Sequence, residues 1–157
     1  SYGYLTGSYV RDKDGVNGAY MICEMFSYYA TRGISLLDKL DELYKTYGYC
    51  LNTLHSYEFD GSAGFAKMQR IMEAFRSGMK AFGGRKVVKL LDYAPGLDGL
   101  PKSDVLKFLL EDNCSIVVRP SGTEPKLKTY ISVSAESRES AEKIETEIRR
   151  SAETCLK

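Results

Sequence analysis

The chain has 157 residues, which is close to the size of one compact domain and long enough to bury a hydrophobic core. Hydrophobic residues make up 43% and charged residues 27%, a balance that excludes an intrinsically disordered chain and a coiled coil. The 22 Lys and Arg against 21 Asp and Glu give a net charge of +1, so the chain as a whole does not attract the phosphate backbone of nucleic acids. Any site that needs positive charge must therefore obtain it from a local cluster of basic residues.

The use of histidine and cysteine narrows the kinds of site that are possible. His55 is the one histidine, which excludes multi-histidine metal sites and leaves a single candidate base for a serine or cysteine nucleophile. The four cysteines form no Cys-x-x-Cys pair, so we expect small buried hydrophobes in a reducing cytoplasm. No apolar run is long enough to span a membrane and no signal peptide opens the chain, so the sequence predicts a cytoplasmic protein without membrane contact.

The first 48 residues predict two helices. Apolar spacing indicates a helix that begins after Asp14 as N-cap and stops at Gly33. Ser35 and Asp38 resemble a capping box for a second helix, which ends at Gly48. The apolar faces of these helices lack a partner and the chain starts without Met, so we expect residues 1–48 to be the end of a preceding domain of a longer polypeptide.

The remaining residues, 49–157, alternate between strand and helix patterns. Period-two alternation predicts a strand from Tyr49 to Phe59, which carries the histidine. A third helix follows Asp60. Its predicted buried stripe comprises Phe65, Met68, Ile71, Met72 and Phe75.

Further strand patterns occupy most of the second half of the chain. They lie at Val87–Tyr93, in a hairpin of Val105–Leu110 with Cys114–Arg119, and at Leu127–Val133. A last helix, from about Ser137 to Leu156, is expected to bury its apolar residues and to expose its Glu, Lys and Arg residues. We therefore expect an α+β fold, an antiparallel four-stranded sheet with two helices on one face, preceded by the two helices of residues 1–48.

The segment Arg119–Lys128, with the sequence RPSGTEPKLK, concentrates groups that bind a phosphate ester. Arg119 offers a planar fork, Ser121 and Thr123 offer hydroxyls, and backbone N–H groups beside Gly122 can donate to phosphate oxygens. Strand alternation places Lys126 and Lys128 on one face near the loop. The alternative is ordinary turn chemistry between two strands. The segment is not a P-loop, because no G-x-x-x-x-G-K-[ST] spacing occurs.

Three other features have structural and functional interpretations. The charges of Arg11–Gly15 form either a solvated helix cap or a divalent metal site, and Lys13 between the two acids argues against the metal. His55 is interpreted as a partly buried structural histidine, since no nucleophile motif lies near it. The twelve tyrosines are better explained as core residues than as a platform for stacking bases.

These motifs resemble those of the α-D-phosphohexomutase family, which includes phosphoglucomutases and phosphomannomutases. Residues 119–126 are similar to the family's C-terminal phosphate-binding loop almost residue for residue. The opening Ser1–Tyr4 resembles the end of the family's sugar-recognition loop, and Arg11–Val16 is similar to the charged segment that follows it. The three motifs occur in the family's order, and the resemblance extends over essentially the whole chain.

The resemblance implies a four-domain parent enzyme that moves a phosphoryl group between the C1 and C6 oxygens of a hexose phosphate. Such an enzyme uses a phosphoserine, an Mg²⁺ ion held by aspartates, and a bisphosphorylated sugar of the glucose 1,6-bisphosphate type. The residues that match the family's phosphate-binding positions are Arg119, Ser121, Gly122, Thr123 and Lys128. Ser1 matches a contact to sugar hydroxyls, and Lys13 matches a lysine that reaches the substrate and assists proton transfer.

The family's serine loop and its Asp-Gly-Asp-x-Asp metal loop do not occur in these residues. The resemblance therefore implies that this chain does not catalyse the reaction alone and has no metal ligands of its own. Its expected partners are a hexose phosphate and the N-terminal domains of the same polypeptide, joined through a mobile linkage near Gly48–Leu51. The alternatives are a non-catalytic α+β module that binds nucleic acid or protein, and a stand-alone enzyme that uses His55.

Overall fold

The computed structural model describes residues 4–9, 11–122 and 124–156. The chain forms two compact units, Ser1–Tyr47 and Gly48–Lys157. Among the described residues, none of the helices combines the length and the apolar character that crossing a membrane requires.

The first unit contains helix α1, which spans Gly15–Ala30. Its N-cap is Asp14, whose carboxylate accepts hydrogen bonds from the backbone N–H groups of Val16 at 2.9 Å and Asn17 at 3.0 Å. The chain leaves the helix through Gly33, which has the left-handed φ of 69° that glycine adopts without strain. The predicted start and stop of this helix are confirmed.

Helix α2 spans Leu36–Tyr47 and begins at a capping box. The backbone N–H of Asp38 donates to the Ser35 hydroxyl at 3.0 Å, and the backbone N–H of Ser35 donates to the Asp38 carboxylate at 3.2 Å. The Ser35 hydroxyl also donates to that carboxylate, and these hydrogen bonds lower the pKa of Asp38. Both helices keep large apolar side chains exposed, namely Met21, Ile22, Met25, Phe26, Leu37, Leu40 and Leu43.

The second unit is a six-stranded sheet with two helices. Its elements in chain order are β1 Tyr49–Glu58, α3 Gly61–Gly78, β2 Ala81–Phe82, β3 Arg85–Asp92, β4 Leu106–Leu110, β5 Ser115–Pro120, β6 Lys126–Ala135 and α4 Arg138–Glu153. Neighbouring strands run antiparallel in the order β1-β6-β5-β4-β3-β2. A short 3-10 turn, Thr154–Leu156, follows α4.

The prediction of a four-stranded sheet is wrong, because the described sheet has six strands. The long alternating segments already supply five of them. The sixth, Ala81–Phe82, has only two residues and therefore no periodicity that a sequence could reveal. It pairs with the start of β3 through a turn at Gly83 and Gly84, whose φ values of 54° and 79° fit a tight hairpin.

Both helices of this unit pack against one face of the sheet. In β6 the residues of that face, from Leu127 to Val133 in steps of two, are buried, while those between them are half-buried. Three rings form the centre of the core, with the centroid of Phe82 lying 5.0 Å from that of Phe108 and 6.3 Å from that of Phe75. We call the opposite side of the sheet, which neither α3 nor α4 covers, the open face.

One residue of the predicted stripe on α3 is not buried. Met68, Ile71, Met72 and Phe75 belong to the core, but Phe65 remains 54% exposed. Periodicity shows which face of a helix is apolar, whereas burial depends on how far the facing sheet extends. Phe65 lies in the first turns of α3, and the prediction that it is buried is wrong.

Two other expectations about the core are also wrong. None of the described tyrosines is buried, and Tyr20 and Tyr47 remain 65% and 80% exposed, so the tyrosines are not core residues. Cys114 is buried as expected, but Cys23 and Cys50 are exposed. An apolar pattern marks the face on which a side chain lies and does not show that another element covers that face.

Candidate functional site

The loop that carries the RPSGTEPKLK segment connects two adjacent strands and is fixed at its ends. Ser121 N–H donates to the Lys126 carbonyl at 2.7 Å, which closes the loop between β5 and β6. The Pro125 carbonyl accepts a hydrogen bond from Phe59 N–H at 2.9 Å, which ties the loop to the end of β1. The loop is thus held in place by the backbone of three strands.

Two cations flank this loop on the open face. Arg119 of β5 and Lys128 of β6 lie directly opposite each other in the register of the sheet. Neither side chain has an ion pair within the described residues, and the Arg119 Nε donates only to the neighbouring Pro120 carbonyl at 3.3 Å. Like charges directly opposite on antiparallel strands are destabilising. A bound anion with two negative charges would remove this repulsion.

Lys126 shares the open face with Lys128, as the alternation predicts, but its charge is already compensated. Its amine lies 3.0 Å from the Glu58 carboxylate and 3.1 Å from the Glu124 carboxylate. The hydrogen bonds that this amine donates to the Glu58 and Glu124 carboxylates raise the pKa of Lys126. Lys126 therefore positions the loop and adds no free charge for a ligand.

Gly122 and Ser121 supply the remaining groups of the site. A methyl group added at Gly122 would meet no atom within 4 Å, so the fold itself leaves open space above this residue. The N–H of Gly122 has no hydrogen bond to the described residues, whereas the N–H of Ser121 is used inside the loop. The groups beside this glycine that can still donate a hydrogen bond to a ligand are therefore the Gly122 N–H and the Ser121 hydroxyl. We call Arg119, Ser121, Gly122 and Lys128 the anion clamp.

The other predicted ligand contacts lie outside this group. Ser1 and Thr123 fall outside the residues that the structure describes. Lys13 belongs to the first unit, where its amine lies 3.1 Å from the Asp12 carboxylate. The hydrogen bond that the Lys13 backbone N–H donates to this carboxylate, followed by the one from the amine, lowers the pKa of Asp12. The charges of Arg11–Gly15 include the Asp14 cap, as the structural interpretation of that segment predicts.

His55 has a buried partner that sequence reasoning missed. Its Nε2 lies 2.6 Å from the Glu145 Oε1, and the same oxygen accepts a hydrogen bond from the Thr53 hydroxyl at 2.9 Å. The Glu145 residue is only 7% exposed, so the prediction that the acidic residues of the last helix are solvated is wrong at this position. Its spacing from Ala141 and Ile148 places it on the buried stripe of α4, which is the signal that could have revealed it.

The described residues contain no group of three or more His, Cys, Asp or Glu side chains that could hold a metal ion. The anion clamp contains neither a carboxylate nor an imidazole. The clamp can bind and orient a phosphate group, since it provides two cations, a hydroxyl and a backbone N–H.

Comparisons with known proteins identify relatives of this chain. A family model described as phosphoglucomutase/phosphomannomutase, C-terminal domain, matches residues 60–151. A phosphoglucomutase of Staphylococcus aureus (strain MSSA476) is 38% identical over 145 residues, which cover 85% of this chain and 26% of the relative. A phosphoglucomutase of Staphylococcus epidermidis is 33% identical over 148 residues, which cover 87% of this chain and 27% of the relative.

A solved structure shares the fold. It is the open form of the exocytosis-sensitive phosphoprotein parafusin, a phosphoglucomutase from Paramecium, and it matches with a TM-score of 0.58 and 19% identity. The match covers 94% of this chain and 27% of that structure. The chain therefore spans about a quarter of the length of the relatives that it matches.

Proposed function

Because the chain belongs to the phosphoglucomutase/phosphomannomutase family, within which it matches the C-terminal domain, we propose that it is the part of such an enzyme that binds the substrate's phosphate. The parent enzyme would interconvert hexose 1-phosphate and hexose 6-phosphate through a phosphoserine and a bisphosphorylated intermediate. The net result moves phosphate from one oxygen to another of the same sugar, which makes the parent an isomerase.

The strongest support for this proposal is the arrangement of Arg119, Lys128 and Gly122. Arg119 and Lys128 lie opposite each other without a described acidic partner, at the mouth of a loop whose Gly122 faces open space. Two unpaired cations in opposed positions do not stabilise the fold, and the fold does not need a glycine at a position where a side chain would meet no atom. Both features are explained by a phosphate group that lies against the clamp.

The role of the clamp in the reaction would be to hold the phosphate that does not react. Phosphoryl transfer is catalysed mainly by positioning and by neutralisation of charge. Binding energy from a remote phosphate can orient the reacting end of the same sugar. We place Ser121 and Thr123 as hydroxyl donors in this contact, and Ser1 and Lys13 at the sugar.

The two units would correspond to two domains of the parent. We assign residues 1–48 to the end of the third domain, which is incomplete here, and residues 49–157 to the C-terminal phosphate-binding domain. The compact units Ser1–Tyr47 and Gly48–Lys157 support a boundary at this point, and the family match at 60–151 lies within the second. The exposed apolar faces of α1 and α2 are consistent with a domain that continues elsewhere.

The Mg²⁺ ion and the bisphosphorylated activator belong to the parent as we propose it. The described residues do not fit a metal site, so the ligands of the ion would lie in other parts of the parent enzyme. We also propose a cytoplasmic location, which is supported by four free cysteines, two of them exposed.

Steady-state kinetics of the full-length enzyme test the proposal. Arg119→Ala is expected to raise KM for the hexose phosphate and to lower kcat, because the phosphate both binds and orients the sugar. The control is Arg150→Ala, which removes an exposed arginine from the last turn of α4. Unchanged kinetics in the Arg119 variant would refute the assignment of the clamp.

A further inference from the structure

The open face carries more positive charge than the anion clamp uses. Lys107 of β4 pairs in register with Val117, the open-face residue two positions before Arg119 on β5. Lys89 of β3 pairs with Leu109, the open-face residue two positions after Lys107. Diagonal neighbours of this kind lie about 7–8 Å apart.

Four cations therefore cross the sheet in a line, which we call the cationic diagonal. Its members, from β6 to β3, are Lys128, Arg119, Lys107 and Lys89. Of these, Lys89 and Arg119 are exposed while Lys107 and Lys128 are half-buried, and the described residues offer none of them an ion pair. The diagonal ends at the clamp on one side and at the bulged strand β3 on the other.

Almost no negative charge offsets this line. Among the open-face positions of β1 and of β3 to β6, Glu58 is the only acid, and its carboxylate is engaged by Lys126. The acid of β3, Asp92, is bound by Arg76 of α3 on the helix side. A chain with a net charge of only +1 thus concentrates uncompensated cations on one face.

We propose that Lys107 and Lys89 form an electrostatic approach path that guides sugar phosphates to the anion clamp. This inference rests on the proposed function and extends it to two residues outside the phosphate-binding loop. Clustered charge of one sign raises the local concentration of an oppositely charged ligand and its association rate, with a strong dependence on ionic strength. The path would act through its charge while the ligand approaches, and the clamp would make the contacts that hold the phosphate.

Neutralising the path tests the inference in the 157-residue chain. The Lys89→Gln/Lys107→Gln double variant is compared with Lys143→Gln/Arg150→Gln, which also removes two positive charges, from exposed positions on α4 behind the sheet. The affinity for glucose 1-phosphate is measured by NMR titration at ionic strengths of about 20 mM and about 300 mM, which bracket weak and strong screening. We expect the Lys89→Gln/Lys107→Gln variant to bind about threefold more weakly at low salt and equally well at high salt.

The outcomes separate the two proposals. If Arg119→Ala leaves the affinity unchanged at both ionic strengths, the clamp itself is refuted. If Arg119→Ala weakens binding at both ionic strengths, while the Lys89→Gln/Lys107→Gln variant binds as tightly at low salt as the Lys143→Gln/Arg150→Gln control, only the approach path is refuted. Tighter binding of a single-stranded oligonucleotide than of glucose 1-phosphate, with shifts at Lys107 and Lys89, would overturn the path in favour of a nucleic-acid surface.

The full-length enzyme gives an independent measurement. The Lys89→Gln/Lys107→Gln variant is expected to lower kcat/KM for glucose 1-phosphate at low salt without changing kcat, because steering affects capture and not chemistry. If the double variant unfolds, the same kinetics can be measured on the single variant Lys89→Gln, which changes an exposed position. An equal effect on kcat/KM at low and high salt would contradict long-range guidance.

Discussion

Arg119 and Lys128 occupy directly opposed positions on β5 and β6, and the described part of the chain places no carboxylate beside either. Opposed like charges reduce stability. We predict that Arg119→Gln or Lys128→Gln raises the free energy of unfolding of the ligand-free protein by about 0.5 kcal/mol while weakening phosphate binding. Urea unfolding at low salt measures this increase in the free energy of unfolding.

Lys126→Gln is the matched control for this prediction. It removes a lysine from the same face, but one that is paired with Glu58 and Glu124, so it is expected not to stabilise the protein. A loss of stability in both the Arg119 and the Lys128 variants would contradict the view that the clamp is strained by its own charge.

The contact of His55 with Glu145 gives a second prediction. Glu145→Ala leaves the inward-facing Thr53 and His55 without their acceptor, and we expect it to destabilise the protein by about 2 kcal/mol. His55→Ala should cost about 1 kcal/mol. Ser56→Ala, at the next and exposed position of β1, should stay within about 0.5 kcal/mol of the original chain.

The same variants test the role of the histidine. A structural role predicts that His55→Ala in the full-length enzyme keeps kcat when it is assayed below its unfolding temperature. Loss of kcat in a folded His55→Ala variant would instead support a catalytic histidine.

The turn between β2 and β3 provides a third prediction. A methyl group at Gly83 would lie 2.7 Å from the backbone of Glu147 and Ile148 in α4, whereas one at Gly84 would meet nothing within 4 Å. Both glycines have a left-handed φ, which costs about 1–2 kcal/mol for alanine. Gly83→Ala is therefore expected to lower the melting temperature much more than Gly84→Ala. Equal losses would show that conformation alone, and not the approach to α4, requires the glycine.

Arg76 links α3 to two acids and makes stability depend on pH. Its guanidinium donates to Asp92 and to Asp104, each at 2.8 Å. Burial tends to raise the pKa of Asp92, but the hydrogen bonds from Ala94 N–H and Arg76 outweigh it and lower this pKa below its ordinary value of 3.8. The contribution of this carboxylate to stability is therefore complete above about pH 4 and is lost as the pH falls through the lowered pKa.

We predict that Arg76→Ala destabilises the protein by about 2 kcal/mol at pH 7, and that the difference shrinks below about pH 3.5. Thermal unfolding at several pH values measures it. The control is Arg70→Ala, an exposed arginine of the same helix with no described ion pair. A difference that stays constant down to pH 2.5 would argue against the Asp92 contact as its source.

The local signals in the sequence predicted most of the secondary structure. Asp14, Ser35 and Asp38 act as caps through short-range hydrogen bonds that depend only on neighbouring residues. The alternation in β1 and β6 also predicted which residues face the helices, because side chains alternate along any strand. What depends on distant parts of the chain was harder to predict: the two-residue β2, the exposure of Phe65 and the burial of Glu145.

In the candidate site, too, features set by neighbouring residues were predictable from the sequence, and features set by distant residues were not. The loop from Arg119 to Lys128 was recognisable from its sequence, since its residue types and their order carry the resemblance. The compensation of Lys126 was not, because Glu58 reaches it from β1, far away in the chain. Lys107 and Lys89 join Arg119 only through the register of three strands, which no local pattern specifies.

Whether the anion clamp binds the substrate's phosphate can be measured by NMR titration of the 157-residue chain with glucose 1-phosphate, with inorganic phosphate and with glucose. We predict that glucose 1-phosphate and inorganic phosphate shift the amide signals of the clamp residues Arg119, Ser121, Gly122 and Lys128, whereas glucose does not. Arg119→Ala is expected to abolish these shifts. Shifts that map elsewhere on the sheet, or that glucose reproduces, would contradict phosphate binding by the clamp.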